Sequence, residues 1–525
     1  MMRSRLNSSV LAALLLAGVL LMNNPDYPDS FPDRPDSLSI DTATLALDLD
    51  KAMEITIPAG AELKPLSFTT QDGRSGWGIR IPGGRPIATP AYADGMIFVG
   101  GGYGSHEFYA FDAATGELVW QIHTADDGPT AAVVEDGYVA FNTESCTVII
   151  VEARTGKLVW QEWLGDPLMS QPAIADGKLY IAYPKGGRFH GFNENAMQSA
   201  AYSANHSAAY LELPAPRQDN NGKGDYTEGR ESHRMLCADL KTGKHIWDRP
   251  ISADVISAPV IDSSKLYFTC FDGTSYCFDA ASGELLWKKE NAGTSAPIIA
   301  EGQVVMTQKR MQGRRAQEGM KLMSRNGDDA HEGIIAAGDA AYLTQDSGGG
   351  VAVGSVLQGE LDAAVGFGSA PAAANLDAAN AHLGVRTVVG GWAYQGSRAA
   401  YKEGRIMNAQ GKYLNSVHSS DGRMAWRAEA RGKDIDANGQ IFSPPAIGEE
   451  YLYLCTSYGH LGAVRQKDGA FGFLYRTPHP AAFQPALAEG NMYVGTVDGM
   501  VICLKTGSSD ADGWYAWGGN ARHNK

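Results

Sequence analysis

The chain has 525 residues, a formal net charge of −15 and a pI near 5.3. That acidity leaves no basic stripe to neutralise phosphates and excludes nucleic acid as a partner. The cationic cluster Lys309, Arg310, Arg314 and Arg315 is expected on a solvated hairpin.

Arg3 and Arg5 precede an apolar run from Val10 to Met22, so residues 1–22 predict an export signal or, left uncleaved, an N-terminal membrane anchor. No cysteine precedes Cys146, which leaves no site for lipid attachment in this stretch. Residues 23–75 follow as an acidic linker and lead-in. The Pro- and Asp-rich part to about residue 48 lacks any apolar period, and no fold is expected there.

From residue 76 to 508 one unit recurs. AFDAATGELVW (Ala110 to Trp120) returns as EARTGKLVW, CADLKTGKHIW, CFDAASGELLW and SVHSSDGRMAW, and more weakly as AVRQKDGAFGF. Each copy follows a Pro-led strand such as QPAIADGKLYIAY. A period of roughly 40 residues made of short strands is a propeller signal. The turn glycines, among them Gly116, Gly156, Gly243, Gly283, Gly422, Gly469 and Gly507, are expected at positive φ where strands reverse. Trp77, Trp120, Trp160, Trp247, Trp287 and Trp426 are expected to fill the gaps between adjacent sheets. A slot before each turn holds Ala110, Cys237, Cys277, Ser416 or Ala463, consistent with crowding near a central axis, and Ile150 departs from it.

Leading strands near Pro90, Pro129, Pro172, Pro259, Pro297, Ser397, Pro444 and Pro485 predict an all-β, eight-bladed propeller of four-stranded antiparallel blades. The strand Gly76 to Gly84 is expected to complete the last blade and close the ring, which removes exposed sheet edges. Insertions are placed at 185–232 and 328–395, the latter with a short helix from Ala372 to Leu383. In the tail, 509–525, Trp514 and Trp517 are expected to dock against the ring.

The six cysteines include no CxxC. They are read as small buried hydrophobes, with a bridge between Cys270 and Cys277 as the alternative. No HExxH, GxSxG or phosphate-binding loop is present, and no catalytic or metal-ligating residue is assigned. His106 and Glu107 are read as a polar hairpin tip, with a joint site as the alternative. Loops joining one blade to the next share a face with the central hairpins. Their polar members are Arg85, Asp126, Asp127, Asp166, Asp254, Asn291, Asp434, Asp436, Gln440 and His479, with Gln171 and Gln484 at the strand starts. These residues converge on a ligand or partner, or else simply stabilise turns.

On these repeats the chain resembles the PQQ-like (quinoprotein-type) β-propeller superfamily across residues 76 to 507. That superfamily includes exported dehydrogenases holding pyrroloquinoline quinone and Ca²⁺ at the propeller centre, and non-enzymatic BamB-like outer-membrane assembly factors. The resemblance implies a periplasmic or cell-envelope scaffold that binds a partner protein or small ligand on its loop face and needs no cofactor. Its alternative is a PQQ- and Ca-dependent dehydrogenase of alcohols or sugars with Asp166 or Asp434 as base. The vicinal cysteine pair of many such dehydrogenases is absent.

Overall fold

The computed structural model describes residues 44–58, 60–102, 104–143, 147–164, 170–184, 209–213, 233–255, 257–270, 273–290, 292, 295–300, 303–312, 315–324, 329–340, 399–410, 412–419, 424–435 and 441–524. Apart from a 3-10 turn at Leu49–Lys51, every named element among them is a strand, and no helix there is long and apolar enough to cross a membrane. Middle strands such as Met96–Gly100 and Glu107–Asp112 are buried along nearly their whole length. Continuous apolar runs of this kind belong to sheets packed on both faces.

The described strands form eight sheets with a four-stranded antiparallel core in each. Seven run in chain order over 91–123, 133–163, 173–251, 260–289, 298–340, 400–431 and 446–476. In the eighth, Ala486–Ala488, Asn491–Gly495 and Met500–Lys505 are joined by Ser75–Arg80, which pairs antiparallel with Met500–Lys505.

Local chemistry explains the repeated motif. Asp112 Oδ1 accepts the N–H groups of Ala114 and Thr115 at 3.1 and 2.8 Å and the Thr115 hydroxyl at 2.7 Å, and Asp239 and Asp279 hold their turns the same way. The bonds from Thr242 and from Ser282 keep the Asp239 and Asp279 carboxyls below the usual range. The Trp that follows reaches the next sheet. Indole Nε1 donates to a turn carbonyl there from Trp77 to Ala113 (3.2 Å), Trp120 to Ala153 (2.9 Å), Trp160 to Leu240 (2.7 Å), Trp247 to Ala280 (3.0 Å) and Trp426 to Gln466 (2.6 Å). Trp287 is partly exposed and lies tilted against Tyr267, centroids 6.1 Å apart. Between the seventh and eighth sheets Phe473 replaces the Trp. Arg74 lies 5.2 Å from its ring centroid and donates from Nε to Thr506 O at 2.8 Å.

The small-residue slot has a different cause from the one its spacing suggested. Ala110, Cys237, Cys277, Ser416 and Cys503 each sit opposite Trp120, Trp247, Trp287, Trp426 and Trp77 on the neighbouring strand. A small residue makes room for the cross-strand indole, not for a central axis. Ile150 faces Trp160, which stays partly exposed.

The lead-in is more ordered than its composition implied. Leu45–Asp48 and Met53–Glu54 add in parallel to the outer edges of the sixth and seventh sheets, and Leu66–Thr69 adds antiparallel to Ser75–Arg80. Leu47, Leu49, Ile55, Ile57 and Phe68 are buried by doing so, and that apolar surface is what holds the stretch. Within the first insertion, Ala209–Glu212 pairs in parallel with Leu118–His123 of the first sheet. The fifth sheet keeps a fourth strand, Asp329–Ala340, so the second interruption starts after 340 and not at 328. That strand carries no Trp, and the repeat pattern therefore did not mark it. The helix expected from Ala372 to Leu383 lies outside the described residues. The five described cysteines are buried. Cys277 pairs across from Tyr267, so the alternative bridge to Cys270 is not made.

Candidate binding face

In a four-stranded meander, the chain enters each sheet at the same end at which the hairpin between its second and third strands turns. The two other hairpins turn at the opposite end. The first end is called the loop face here and the second the turn end.

Several polar residues of the loop face hold the loops themselves. Asp126 is buried, takes the Thr143 hydroxyl on Oδ2, and accepts the Thr124 hydroxyl on its backbone oxygen at 2.6 Å. Asp254 Oδ1 accepts from Val255 N at 2.7 Å. Gln484 is buried, donates to Pro445 O at 2.7 Å and accepts from Gly518 N at 2.8 Å, so both ends of its amide are engaged. Gln171 N donates to Ser257 O at 2.6 Å, and its side-chain oxygen is buried with no hydrogen-bond partner. Arg85 folds back over Gly83 and Gly102, where a Cβ would meet its side chain at 2.3 and 2.7 Å.

His479 Nδ1 lies 2.7 Å from Asp498 Oδ2, and Asp498 Oδ1 accepts from the Thr496 hydroxyl at 2.7 Å. Burial works to raise the Asp498 carboxyl, but the bonds from His479 and Thr496 outweigh it and hold the group below the usual range. His479 also borders a cavity of 170 Å³ with Ile57, Lys64, Leu66, Arg80 and Met500. Asp434 is exposed and Asp127 partly so. Asp166, Asn291, Asp436 and Gln440 lie outside the described residues.

Two groupings at this end were not legible from spacing alone. Glu107 Oε1 lies 2.9 Å from His123 Nδ1, and the His123 ring stacks on His106 with centroids 5.2 Å apart. His123 was hidden because it belongs to the outer strand, across the hairpin from Glu107. Asp498 was hidden in the same way, in the hairpin opposite the loop that carries His479.

Among the described residues no three His, Cys, Asp or Glu are grouped to hold a metal ion. The first strands of five of the sheets bond to the chain's own C-terminal tail, whose Trp514 and Trp517 are buried.

Stacked four-stranded sheets, five of them tied by a Trp to the turn of the next, define a protein of the PQQ-like β-propeller superfamily. The chain belongs to the family described as outer membrane protein assembly factor BamB, whose model matches residues 66–135, 105–330 and 385–512. BamB of Moranella endobia (strain PCIT) is 24% identical over 41% of this chain and 60% of its own length. BamB of Yersinia pestis is 23% identical over 38% of this chain and 55% of its own length. The match thus spans somewhat more than half of these relatives. Among solved structures, Saccharomyces cerevisiae Sqt1 superposes with a TM-score of 0.51 at 8% identity, covering 80% of this chain and 96% of that one, a likeness of fold alone.

Proposed function

We propose that this protein is a non-catalytic scaffold of the cell envelope whose loop face holds a partner protein, with a role in outer-membrane protein assembly. The family match over most of the repeating region carries this reading. The eight sheets are taken as blades of one ring, closed where Ser75–Arg80 joins Met500–Lys505. The loop residues support binding over catalysis, since Asp126, Asp254 and Gln484 are engaged in shaping loops while Asp127 and Asp434 reach solvent.

The test is site-specific photo-crosslinking in intact cells. A crosslinker at Asp127 or Asp434 is expected to capture one discrete envelope protein, and one at Lys178 or Lys265, by the turns, is not. Equal capture from both ends, or none from the loop face, would sink the proposal. Titration with pyrroloquinoline quinone and Ca²⁺ tests the dehydrogenase alternative, which stoichiometric binding would revive.

A further inference from the structure

A sheet leaves the N–H groups on the free edge of its first strand in need of partners. Here one segment serves several sheets in turn. Leu487 and Trp514 exchange bonds of 2.7 and 3.1 Å, Tyr92 N donates to Tyr515 O at 2.7 Å, Ile174 N to Ala521 O at 2.8 Å and Ile261 N to Arg522 O at 2.9 Å. Ile299 N reaches Asn524 Oδ1 at 3.1 Å. These donors lie on the first strands of the eighth, first, third, fourth and fifth sheets.

The segment is anchored at the turn end. Asp510 accepts from Glu450 N and, at 2.8 Å, from the Tyr453 hydroxyl, Asp512 accepts from Glu489 N at 3.1 Å, and Arg522 pairs with Asp176 at 2.6 Å. From there it climbs. Around a turn from Ala516 to Gly519, Gly518 N reaches Gln484 and Trp517 packs on Ala258 and Ala296. The buried His523 ring sits between Trp517 O and Pro172 O at 2.7 and 2.9 Å.

We infer that the first strands form a peptide-binding groove whose resident ligand is the chain's own segment Asp510 to Asn524, and that this ligand stoppers the ring from the turn end. The groove takes a bent peptide with two tryptophans before a Gly-Gly turn and a histidine beyond it. Alanines at 258 and 296 leave room for one indole, and strand N–H groups read the backbone. The stopper role rests on the closed-ring reading, whereas the peptide groove stands without it.

The experiment places a protease site between Ser508 and Asp510 of the full chain and cuts it after folding. The cut segment is expected to stay bound through size exclusion and to exchange with a labelled peptide of residues 510–525. The same peptide carrying W517A and H523A is expected to compete at least about 100-fold less well, the loss of roughly two pairs of contacts. Departure of the cut segment with no change in melting temperature, or equal competition by both peptides, overturns the groove. If the insertion blocks folding, full-length Trp517→Ala replaces it, with amide exchange as the readout. Exchange at Ile174 and Ile261 is then expected to rise about tenfold, and unchanged exchange overturns the proposal. An open ring would appear elsewhere, as lost protection along Ser75–Arg80 in the unaltered protein.

Discussion

Trp120 lies flat against Gly156 of the next sheet, so closely that a Cβ on that glycine would stand 2.8 Å from the indole ring. Gly156 has φ +68°, and the indole N–H ties the same turn through Ala153 O at 2.9 Å. The turn therefore needs glycine twice, once for its backbone and once for the ring above it.

Trp120→Ala and Trp247→Ala are each expected to cost about 3–5 kcal/mol, because a buried ring and its hydrogen bond are lost together. Trp287→Ala should cost clearly less, since Trp287 is partly exposed. Urea unfolding of the three variants checks the order, and an equal loss in all three would refute the inter-sheet role assigned to these side chains.

Gly156→Ala and Gly507→Ala separate the two demands on the turn. Both glycines have positive φ, at +68° and +73°, but nothing lies within 4 Å of a Cβ at Gly507. Gly507→Ala is expected to cost about 1–2 kcal/mol for the left-handed backbone alone. Gly156→Ala should exceed it by the clash with Trp120, as thermal melts of the pair would reveal.

The thiols of Cys237, Cys277 and Cys503 are pushed up to about 12 by burial, and Cys455 is raised further by the same cause. In a Cys146→Ser background, native protein at pH 8 should resist an alkylating reagent and label fully in denaturant. Rapid labelling of the native protein would contradict the packing opposite the tryptophans.

His460 is buried, with Nδ1 2.9 Å from the Thr456 hydroxyl, and desolvation, helped by Arg476, pushes its pKa down to about 4. Its folded pKa lies below the unfolded value of ~6.5, so the unfolded state takes up the proton first as pH falls. The native state should lose stability between pH 6.5 and about 4 from this group, and His460→Gln should flatten that part of the profile. Parallel acid titrations of melting temperature decide it: identical slopes in both proteins would rule the effect out.

The repeat, its turns and its Trp positions were legible in the chain because they are local: Asp112, Thr115 and Gly116 make one turn among themselves, and strand alternation is written in adjacent residues. The loop face was legible only as a set of loops. Whether Asp126 or Gln484 was available to a ligand depended on Thr143 and on Gly518, which come from other parts of the chain. The same limit explains the lead-in and the tail. Leu47 carries no period that marks a partner, and although Trp514 and Trp517 were expected to dock the tail, which surfaces would receive them was decided by strands far away in the chain. Backbone geometry and side-chain spacing act over a few residues, whereas edge pairing and burial are settled only when distant strands have assembled.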